Sequence, residues 1–303
     1  MRMLRTVAEL RAALAEAHRD RRVVGLVPTM GALHDGHLSL IRRAREDCDE
    51  VVVSLFVNPI QFGDPADLEG YPRDERRDAA LAAAAGVDHL FAPTVEEVYP
   101  TGFATTVSVA GVSHSLEGAH RGGAHFDGVT TVLTKLFNLV APQVAYFGQK
   151  DVQQAVVIER LVRDLDIPLV VVVCPTVRES DGLAISSRNA RLSPAERIRA
   201  ASLHRALGAV QEAVAAGERD PAAATAGAIS ELSASELEPE YLELVSADTL
   251  APVHRIDGDV LAVVAVRLGA TRLIDNQIIE LNPAAPAPGD HERPEVLTCS
   301  ARC

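Results

Sequence analysis

Tryptophan is absent from this 303-residue chain, and all aromatic residues together make up only 4% of it. Because hydrophobic residues still make up 48%, we expect a globular protein whose core consists mainly of Val, Leu, Ile and Ala. Basic residues are also few, since 29 Lys and Arg stand against 42 Asp and Glu and give a formal net charge of −13. So acidic a surface argues against nucleic acid or anionic membrane as a partner, but it leaves room for a small basic pocket that binds phosphate.

Cysteines are few and widely spaced. Cys48, Cys174, Cys299 and Cys303 form no C-x-x-C pair and no His/Cys cluster with zinc spacing. This arrangement is typical of reduced thiols in a cytoplasmic protein. The N-terminus carries acidic residues and helical spacing, unlike a signal peptide. No apolar run reaches the ~18–20 residues needed to span a bilayer.

The first half of the chain alternates between strand and helix patterns. Apolar runs predict strands at 23–28, 51–57, 87–93, 144–148 and 168–175, and 104–110 is a further candidate. Helical spacing occurs at 4–18, 38–45, 73–85, 127–140 and 151–164, with Asp127 placed to cap the fourth of these helices. This alternation predicts an α/β fold, a Rossmann-like parallel sheet with helices on both faces.

The pattern changes after a loop-like segment at 175–191. Two helices are predicted at 194–216 and 221–232, the first with Ser193 as N-cap and Pro194 in its first turn. Three strands are predicted at 240–246, 259–269 and 271–281. We therefore expect a Rossmann-like domain at 1–176, a smaller α+β lid domain at 177–282, and an unstructured Pro- and Ala-rich tail at 283–303.

Polar and basic side chains follow four of the predicted strands. In an open parallel sheet, ligands bind outside the carboxyl ends of the strands, so these side chains are expected to share one site. They are His34 and His37; Asn58 and Gln61; Lys150, Asp151, Gln153 and Gln154; and Arg178, Ser186, Ser187 and Arg188.

The two histidines lie where the first of these strands passes into a helix. A helix N-terminus favours phosphate, and imidazoles there can donate hydrogen bonds to phosphate oxygens and to a departing anion. Gly31 and Gly36 would let the backbone approach a ligand closely. A solvated polar loop remains an alternative, and so does a His-x-x-His metal pair, although no third ligand is evident nearby.

The other strand ends supply a mixed set of groups. Lys150 suits a triphosphate, and Ser186 to Arg188 could form a phosphate cradle, although both could equally be exposed surface residues. The Gly-containing segment HRGGAHF, at 120–126, includes Arg121 and His125 and could form either a lid or a plain turn. Walker, GxGxxG and GxSxG motifs are absent, so the sequence favours catalysis by positioning and charge stabilisation over covalent catalysis.

Six ordered blocks resemble the pantothenate synthetase (pantoate–β-alanine ligase) family of the His-x-Gly-His nucleotidyltransferase superfamily. They are PTMGALHDGH, FVNPIQFG, YPRD, YFGQKDVQQ, PTVRESDGLAISSRN and VRLGATRLIDN, and the resemblance covers about residues 1–282. It implies that ATP and (R)-pantoate form pantoyl adenylate and pyrophosphate, and that β-alanine then displaces AMP to give pantothenate. It also implies Mg²⁺ as a cofactor, a homodimer, and a cytoplasmic location.

The resemblance assigns roles to residues that match the family motifs. Catalysis falls to His37, as general acid or charge-stabilising residue, with His34, Lys150 and Arg188 on the phosphates. ATP binding falls to Met30, Gly31, Ala32, Leu33, His34, Asp35, Gly36, His37, Gly148, Gln149, Lys150, Asp151, Val177, Ile185, Ser186, Ser187 and Arg188. Substrate binding falls to Gln61 and Gln154, whose neutral amides suit a small polar substrate, with Asn58 and Arg121 as further contacts.

Three positions depart from the family pattern. Gln149 stands where Glu is frequent, and Ile185 stands where Met is frequent. The acidic pair of some members after YPR is reduced to Asp78 beside Arg77, which leaves Asp78 as a weak candidate ligand for Mg²⁺. The metal is then expected to be held mainly by ATP and water.

Two other functions are compatible with part of this pattern. A cytidylyl- or adenylyltransferase acting on a phosphorylated substrate would need a basic acceptor pocket in place of Gln61 and Gln154. A nucleotide-binding regulatory module would not need His34, His37, Lys150 and Arg188 together.

Overall fold

The computed structural model describes residues 1–63 and 65–281. Six strands, all parallel, form the larger sheet: Arg2–Leu4 (β1), Val24–Thr29 (β2), Glu50–Leu55 (β3), His89–Phe91 (β4), Val144–Gly148 (β5) and Val170–Cys174 (β6). Their order is β1-β4-β3-β2-β5-β6. The central strands are almost continuously apolar because helices cover both of their faces, which confirms the predicted Rossmann-like class.

Eight helices accompany this sheet within the described residues. They are Val7–Arg19 (α1), Asp35–Asp47 (α2), Pro65–Glu69 (α3), Glu75–Ala84 (α4), Val95–Val98 (α5), Glu117–Arg121 (α6), Gly123–Val140 (α7) and Val152–Asp164 (α8). One apolar cluster joins α1, α7 and α8 to the sheet, and a second joins α2 and α4 to it. Of the described helices, none is both long and apolar enough to cross a lipid bilayer.

The second half of the chain forms a smaller unit with its own core. Helices Pro194–Ala200 (α9), Ser202–Ala215 (α10) and Pro221–Ala234 (α11) pack on an antiparallel sheet of Pro239–Val245 (β7), Val260–Leu268 (β8) and Thr271–Ile279 (β9). Helix α9 begins as the sequence predicts. Ser193 is its N-cap and forms a reciprocal capping box with Glu196, and Pro194 is its first residue. The predicted helix at 194–216 is divided at Ala201 into α9 and α10.

Two local predictions are wrong. Residues 104–110 belong to neither sheet, although their composition favours a strand. Asp127 does not cap a helix, because α7 begins earlier, at Gly123, after a left-handed Gly122 (φ +82°). Asp127 instead lies within α7, where its carboxylate accepts a hydrogen bond from the Ser108 hydroxyl at 2.6 Å. The predicted tail at 283–303 lies outside the described residues.

The strand order determines where a ligand can bind. Strand β2 lies between β3 and β5, and the chain leaves β2 towards β3 but leaves β5 towards β6, in the opposite direction. The loops after β2 and β5 therefore diverge and open a crevice at the carboxyl edge of the sheet, which is the usual ligand position in such folds.

Candidate functional site

A cavity of about 780 Å³ occupies this crevice and extends under β8 and β9. Its size is that of a small-molecule site. Most of the residues predicted for the site line it: Met30, His34, Gly36, His37, Asn58, Gln61, Arg121, Gly148, Lys150, Asp151, Gln154, Val177, Ile185, Ser186, Ser187 and Arg188. The cavity lining does not include Gly31, Ala32, Leu33, Asp35, Asp78 or Gln149.

The loop after β2 is held in an unusual conformation by one carboxylate. Gly31 (φ +87°) and Ala32 (φ +52°) are both left-handed. The fully buried Asp78 of α4 accepts hydrogen bonds from the N–H groups of Ala32 and Leu33, both at 2.8 Å. A side chain at Gly31 would be crowded, because its Cβ would lie 2.9 Å from the Leu55 Cδ1 and 3.0 Å from the Asp78 Oδ2. Asp78 is therefore the anchor that shapes this loop.

This role corrects the suggestion that Asp78 binds Mg²⁺. Both of its oxygens are engaged with backbone N–H groups, and its side chain is 2% exposed. Across the described parts of the chain, no three His, Cys, Asp or Glu side chains are grouped so as to hold a metal ion. Within residues 1–63 and 65–281, the side chains therefore do not form a protein-only magnesium site.

His34 and His37 form a closely packed pair at the start of α2. His34 occupies the N-cap position, and the two ring centroids are 4.1 Å apart. A Cβ at Gly36 would lie 2.9 Å from the His34 ring, so any larger residue would require that ring to move. The Nδ1 atoms of both rings are buried and have no hydrogen-bond partner among the described residues.

Both imidazoles are neutral at physiological pH. Burial, with the neighbouring His34 and Lys150, lowers the pKa of His37 to about 3. Burial and Lys150 also lower the pKa of His34. In this state each ring donates a hydrogen bond as a neutral group, and an anion at the site would favour its protonation.

The phosphate-binding candidates lie on two short 3₁₀ turns. Lys150 belongs to Gln149–Asp151, which follows β5, and Arg188 to Ser187–Arg191. The Ser186 hydroxyl accepts a hydrogen bond from the Arg188 N–H at 3.2 Å and so begins the second turn. Asp67 lies 3.7 Å from the Arg188 guanidinium in a partly exposed pair, an arrangement of little energetic value that an incoming phosphate can displace.

Two buried residues of β9 bind the first turn and the loop that leads to the second, and sequence reasoning missed them. The Asn276 Nδ2 donates to the carbonyl oxygens of Gln149 and Lys150, both at 2.9 Å. Asp275 binds Arg178 through two oxygens at 2.6 and 2.9 Å. The polar residues Asp275 and Asn276 are visible in the sequence, but their burial is not, because β9 also contains the polar residues Thr271, Arg272 and Gln277.

Asn58 and Gln61 form an ordered chain of amides. Asn58 is fully buried, and its amide nitrogen lies 3.0 Å from the Gly128 carbonyl oxygen, which can only accept. Its oxygen therefore accepts from the Tyr99 hydroxyl at 2.8 Å, and its nitrogen also donates to the Gln61 Oε1 at 2.8 Å. The Gln61 Nε2 is left to face Met30 and the cavity as a donor.

Gly128 allows this arrangement by bringing α7 against the turn that contains Gln61. A Cβ at Gly128 would lie 2.6 Å from the Gln61 Cα and 2.6 Å from the Ile60 carbonyl oxygen. Both contacts are with backbone atoms, so no side-chain rotation could relieve them. The helix and the turn must therefore touch backbone to backbone.

A charged cluster closes the far end of the cavity and was also missed. The Glu117 carboxylate accepts hydrogen bonds from Arg121 (2.8 Å), Arg272 (2.6 Å to each oxygen) and the Tyr241 hydroxyl (2.8 Å). Although burial alone would raise it, the two arginines hold the pKa of Glu117 at about 2. Arg272 also binds Glu240, so the cluster ties α6 to the antiparallel sheet. Arg121, predicted as a substrate contact, is thus already paired.

Comparison with known families identifies extensive similarity. A family model described as pantoate–β-alanine ligase matches residues 2–278. Two relatives named pantothenate synthetase come from Cereibacter sphaeroides and Moorella thermoacetica. The first is 56% identical over 274 residues, covering 90% of this chain and 98% of the relative. The second is 53% identical over 283 residues, covering 93% and 100% respectively.

Solved structures show the same similarity. Pantothenate synthetase from Thermus thermophilus superposes with a TM-score of 0.87 at 52% identity, covering 93% of this chain and 100% of that one. Pantoate–β-alanine ligase from Francisella tularensis, solved with a β,γ-ATP compound and β-alanine, superposes with a TM-score of 0.78 at 31% identity, covering 94% and 100%.

The neutrality of His37 predicts a distinctive titration. In ¹⁵N-edited NMR spectra of the ligand-free protein, the His37 ring, assigned with His37→Ala, is expected to stay neutral down to about pH 5, because its pKa is held near 3. Adding ATP should move its titration to higher pH, since phosphate stabilises the imidazolium. A ligand-free midpoint near the ordinary histidine value of about 6.5 would contradict this assignment.

The amide chain predicts a remote effect of Tyr99. Tyr99→Phe removes the donor to Asn58 and leaves a buried oxygen unpaired, which should cost about 1–3 kcal/mol of stability and free the Gln61 amide to rotate. The KM of the substrate bound by Gln61 should rise by about 10-fold or more, measured by steady-state kinetics.

Tyr146→Phe is the matched control. This tyrosine is fully buried and its ring also lines the cavity, but its hydroxyl contacts Cys48 and Asp47 at the C-terminal end of α2 and not the Asn58–Gln61 amides. The control should lose stability without a change in KM. Equal KM values for Tyr99→Phe and the unmodified protein would show that Gln61 does not depend on Tyr99.

Proposed function

The chain belongs to the pantoate–β-alanine ligase family, and we propose that the cavity at the carboxyl edge of the parallel sheet is its active site. The enzyme condenses (R)-pantoate with β-alanine to pantothenate in an ATP-dependent reaction that releases AMP and pyrophosphate through pantoyl adenylate. The observation that supports this site best is that four strand ends bring their polar side chains into one cavity.

The chemistry explains why the cavity carries phosphate-binding groups. A carboxylate resists attack by an amine because its leaving group would be oxide, and adenylation replaces that oxide with AMP. The enzyme must therefore align the pantoate carboxylate with the α-phosphate and stabilise the departing pyrophosphate. We assign alignment to the loop after β2, and pyrophosphate stabilisation to His34, His37, Lys150 and Arg188, with Ser186 and Ser187 as hydrogen-bond donors.

We assign pantoate to the side of the cavity formed by Gln61 and Gln154. The Gln61 Nε2 is available as a donor, because Asn58 engages its oxygen. A neutral amide can bind a hydroxyl or carboxylate of pantoate without fixing a full charge beside the reacting carbon. Asn58 is then a positioning residue that acts through Gln61. Arg121 donates its Nε–H to Glu117, so its terminal N–H groups can bind substrate while that pair is kept.

We propose that Mg²⁺ enters the site with ATP, held by phosphate oxygens and water. Asp78 does not fit as its ligand because both carboxylate oxygens bind backbone N–H groups. Small, hard Mg²⁺ often keeps several waters beside substrate phosphates, so a protein-only cage is not required.

We further propose that the chain divides into the Rossmann-like domain at 1–176 and the lid domain at 177–282. Supporting this division, the second unit has a separate apolar core and lines the cavity with Ser186, Ser187, Arg188 and β9. We place the enzyme in the cytoplasm, consistent with the free thiols of Cys48 and Cys174, with small molecules rather than nucleic acid or membrane as its partners.

We infer a homodimer from the segment at 104–110. Both backbone groups of Val107 are hydrogen-bonded to α7. Its N–H donates to the Thr131 hydroxyl at 2.9 Å, and its carbonyl oxygen accepts from the Thr130 hydroxyl at 2.5 Å. In an extended chain, successive residues direct their N–H and C=O groups to opposite sides, so those of Thr106 and Ser108 point away from α7. Neither residue has a backbone hydrogen-bond partner among the described residues. Antiparallel pairing with a second copy would satisfy them about a two-fold axis.

The function is tested by following AMP release from purified protein. With ATP, pantoate, β-alanine and Mg²⁺, we expect AMP and pantothenate in equal amounts, and no AMP when pantoate is omitted. His37→Ala should lower the rate by about 10²–10³-fold, because it removes a donor to charge that develops on pyrophosphate. ADP in place of AMP would contradict the adenylate mechanism.

The dimer is tested by light scattering coupled to size exclusion. The unmodified protein should have the mass of two chains, and Thr106→Pro, which removes an outward N–H, should shift it towards one chain. Thr105→Pro is the matched control, because the Thr105 N–H points towards α7 and lacks a partner there. A single-chain mass for the unmodified protein at micromolar concentration would contradict the proposal.

A further inference from the structure

His125, in the first turn of α7, has a defined hydrogen-bonding state. Its ring lines the cavity, and its Nδ1 lies 2.8 Å from the backbone carbonyl oxygen of Gln61. A carbonyl oxygen can only accept a hydrogen bond, so the Nδ1 must carry a hydrogen. The ring of Phe126 meets the imidazole edge-on at 5.0 Å and restricts its rotation. The lone pair of a neutral His125 is therefore on Nε2.

The surroundings of His125 favour this neutral form. Burial and the nearby positive charge of Arg121 lower its pKa below the ordinary histidine value. The Gln61 carbonyl, Glu117 and Asp151 act in the opposite direction but do not outweigh them. His125 is thus a neutral imidazole with one unprotonated nitrogen, beside the amide that we assign to pantoate.

The second half of the reaction needs such a group. β-Alanine exists in water mainly as an ammonium ion, which has no lone pair for attack. After one proton is lost to solvent, the neutral amine can attack the acyl carbon, but its nitrogen then carries a further proton that must leave as the amide forms. A neutral imidazole is well suited to accept it near pH 7.

Other acid–base groups of the cavity are less suited to this role. Glu117 is held ionised with a pKa of about 2 by Arg121 and Arg272, and is therefore a weak base. His34 and His37 lie at the N-terminus of α2, on the side assigned to phosphate, and the pKa of His37 is about 3. His125 combines a position beside Gln61 with a moderate basicity.

We propose that His125 is the general base of amide formation, accepting at Nε2 the proton that the β-alanine nitrogen loses. As the amine lone pair forms the C–N bond, the bond between the acyl carbon and the phosphate oxygen breaks, and AMP leaves with that electron pair. The imidazolium then releases the proton to solvent. This proposal rests on the ligase activity and adds a residue to its second step.

The two half-reactions can be measured separately to test His125. Pantoate-dependent exchange of pyrophosphate into ATP reports adenylate formation, and single turnover of enzyme-bound pantoyl adenylate with β-alanine reports amide formation. His125→Asn retains an N–H donor where Nδ1 contacts the Gln61 carbonyl but removes Nε2. We expect exchange within about 2-fold of the unmodified enzyme and amide formation slower by about 10²–10⁴-fold, the usual contribution of a general base.

Controls separate a chemical role from a structural one. His114→Gln changes an exposed histidine outside the cavity and should leave both steps unchanged. In the unmodified enzyme, amide formation should slow as the pH falls through the pKa of His125, below about 6.5, because the imidazolium cannot accept a proton. His125→Asn should lose this pH dependence, and added imidazole should restore part of its rate.

Two results would overturn the proposal. If His125→Asn slowed exchange and amide formation equally, or slowed neither, His125 would not be the base. If the unmodified enzyme catalysed no pantoate-dependent exchange, the ligase assignment itself would fail. His125→Gln serves as a second variant, so that a folding defect in one protein does not decide the outcome.

Discussion

The buried polar pair on β9 is the interaction on which the site depends. Asp275 binds the guanidinium of Arg178, and Asn276 donates to the carbonyl oxygens of Gln149 and Lys150. One strand of the small sheet is therefore tied both to the phosphate-binding turn after β5 and to the start of the loop that leads to the second turn. Removing one partner of a buried ion pair typically costs about 3–5 kcal/mol, so this link is both geometric and energetic.

A second theme is that the site uses neutral groups where charge would be a disadvantage. Burial lowers the pKa values of His34, His37 and His125 and keeps their rings in the neutral form. The side assigned to pantoate carries the neutral amides of Gln61 and Gln154. On the side assigned to phosphate, positive charge comes from Lys150 and Arg188, whereas Arg121 and Arg272 of the cavity lining are paired with Glu117. The division matches the reaction, since pyrophosphate must be stabilised while the acyl carbon stays free to react.

The sequence was sufficient to predict the fold class, and most of the site residues that it predicted line the cavity, for a physical reason. Hydrophobic periodicity determines which segments become buried strands, and parallel strands bring their carboxyl ends to one edge. Tertiary partners were harder to predict. Asp78 looked like a metal ligand until the N–H groups of Ala32 and Leu33 were found on its oxygens. Residues 104–110 have the composition of a strand but have no partner strand among the described residues.

The contact between Asn276 and the turn after β5 also bears on how this sequence can vary. Asn276 recognises main-chain carbonyls, which every residue possesses, so the side chain at position 149 can drift between Gln and Glu without breaking the link. Among the described residues, the one hydrogen bond specific to the Gln149 side chain is a long one, 3.4 Å from its Nε2 to the Asn276 Oδ1. We therefore expect position 149 to tolerate substitution and position 276 not to, because the two carbonyls need a double donor and the side chain beside them does not.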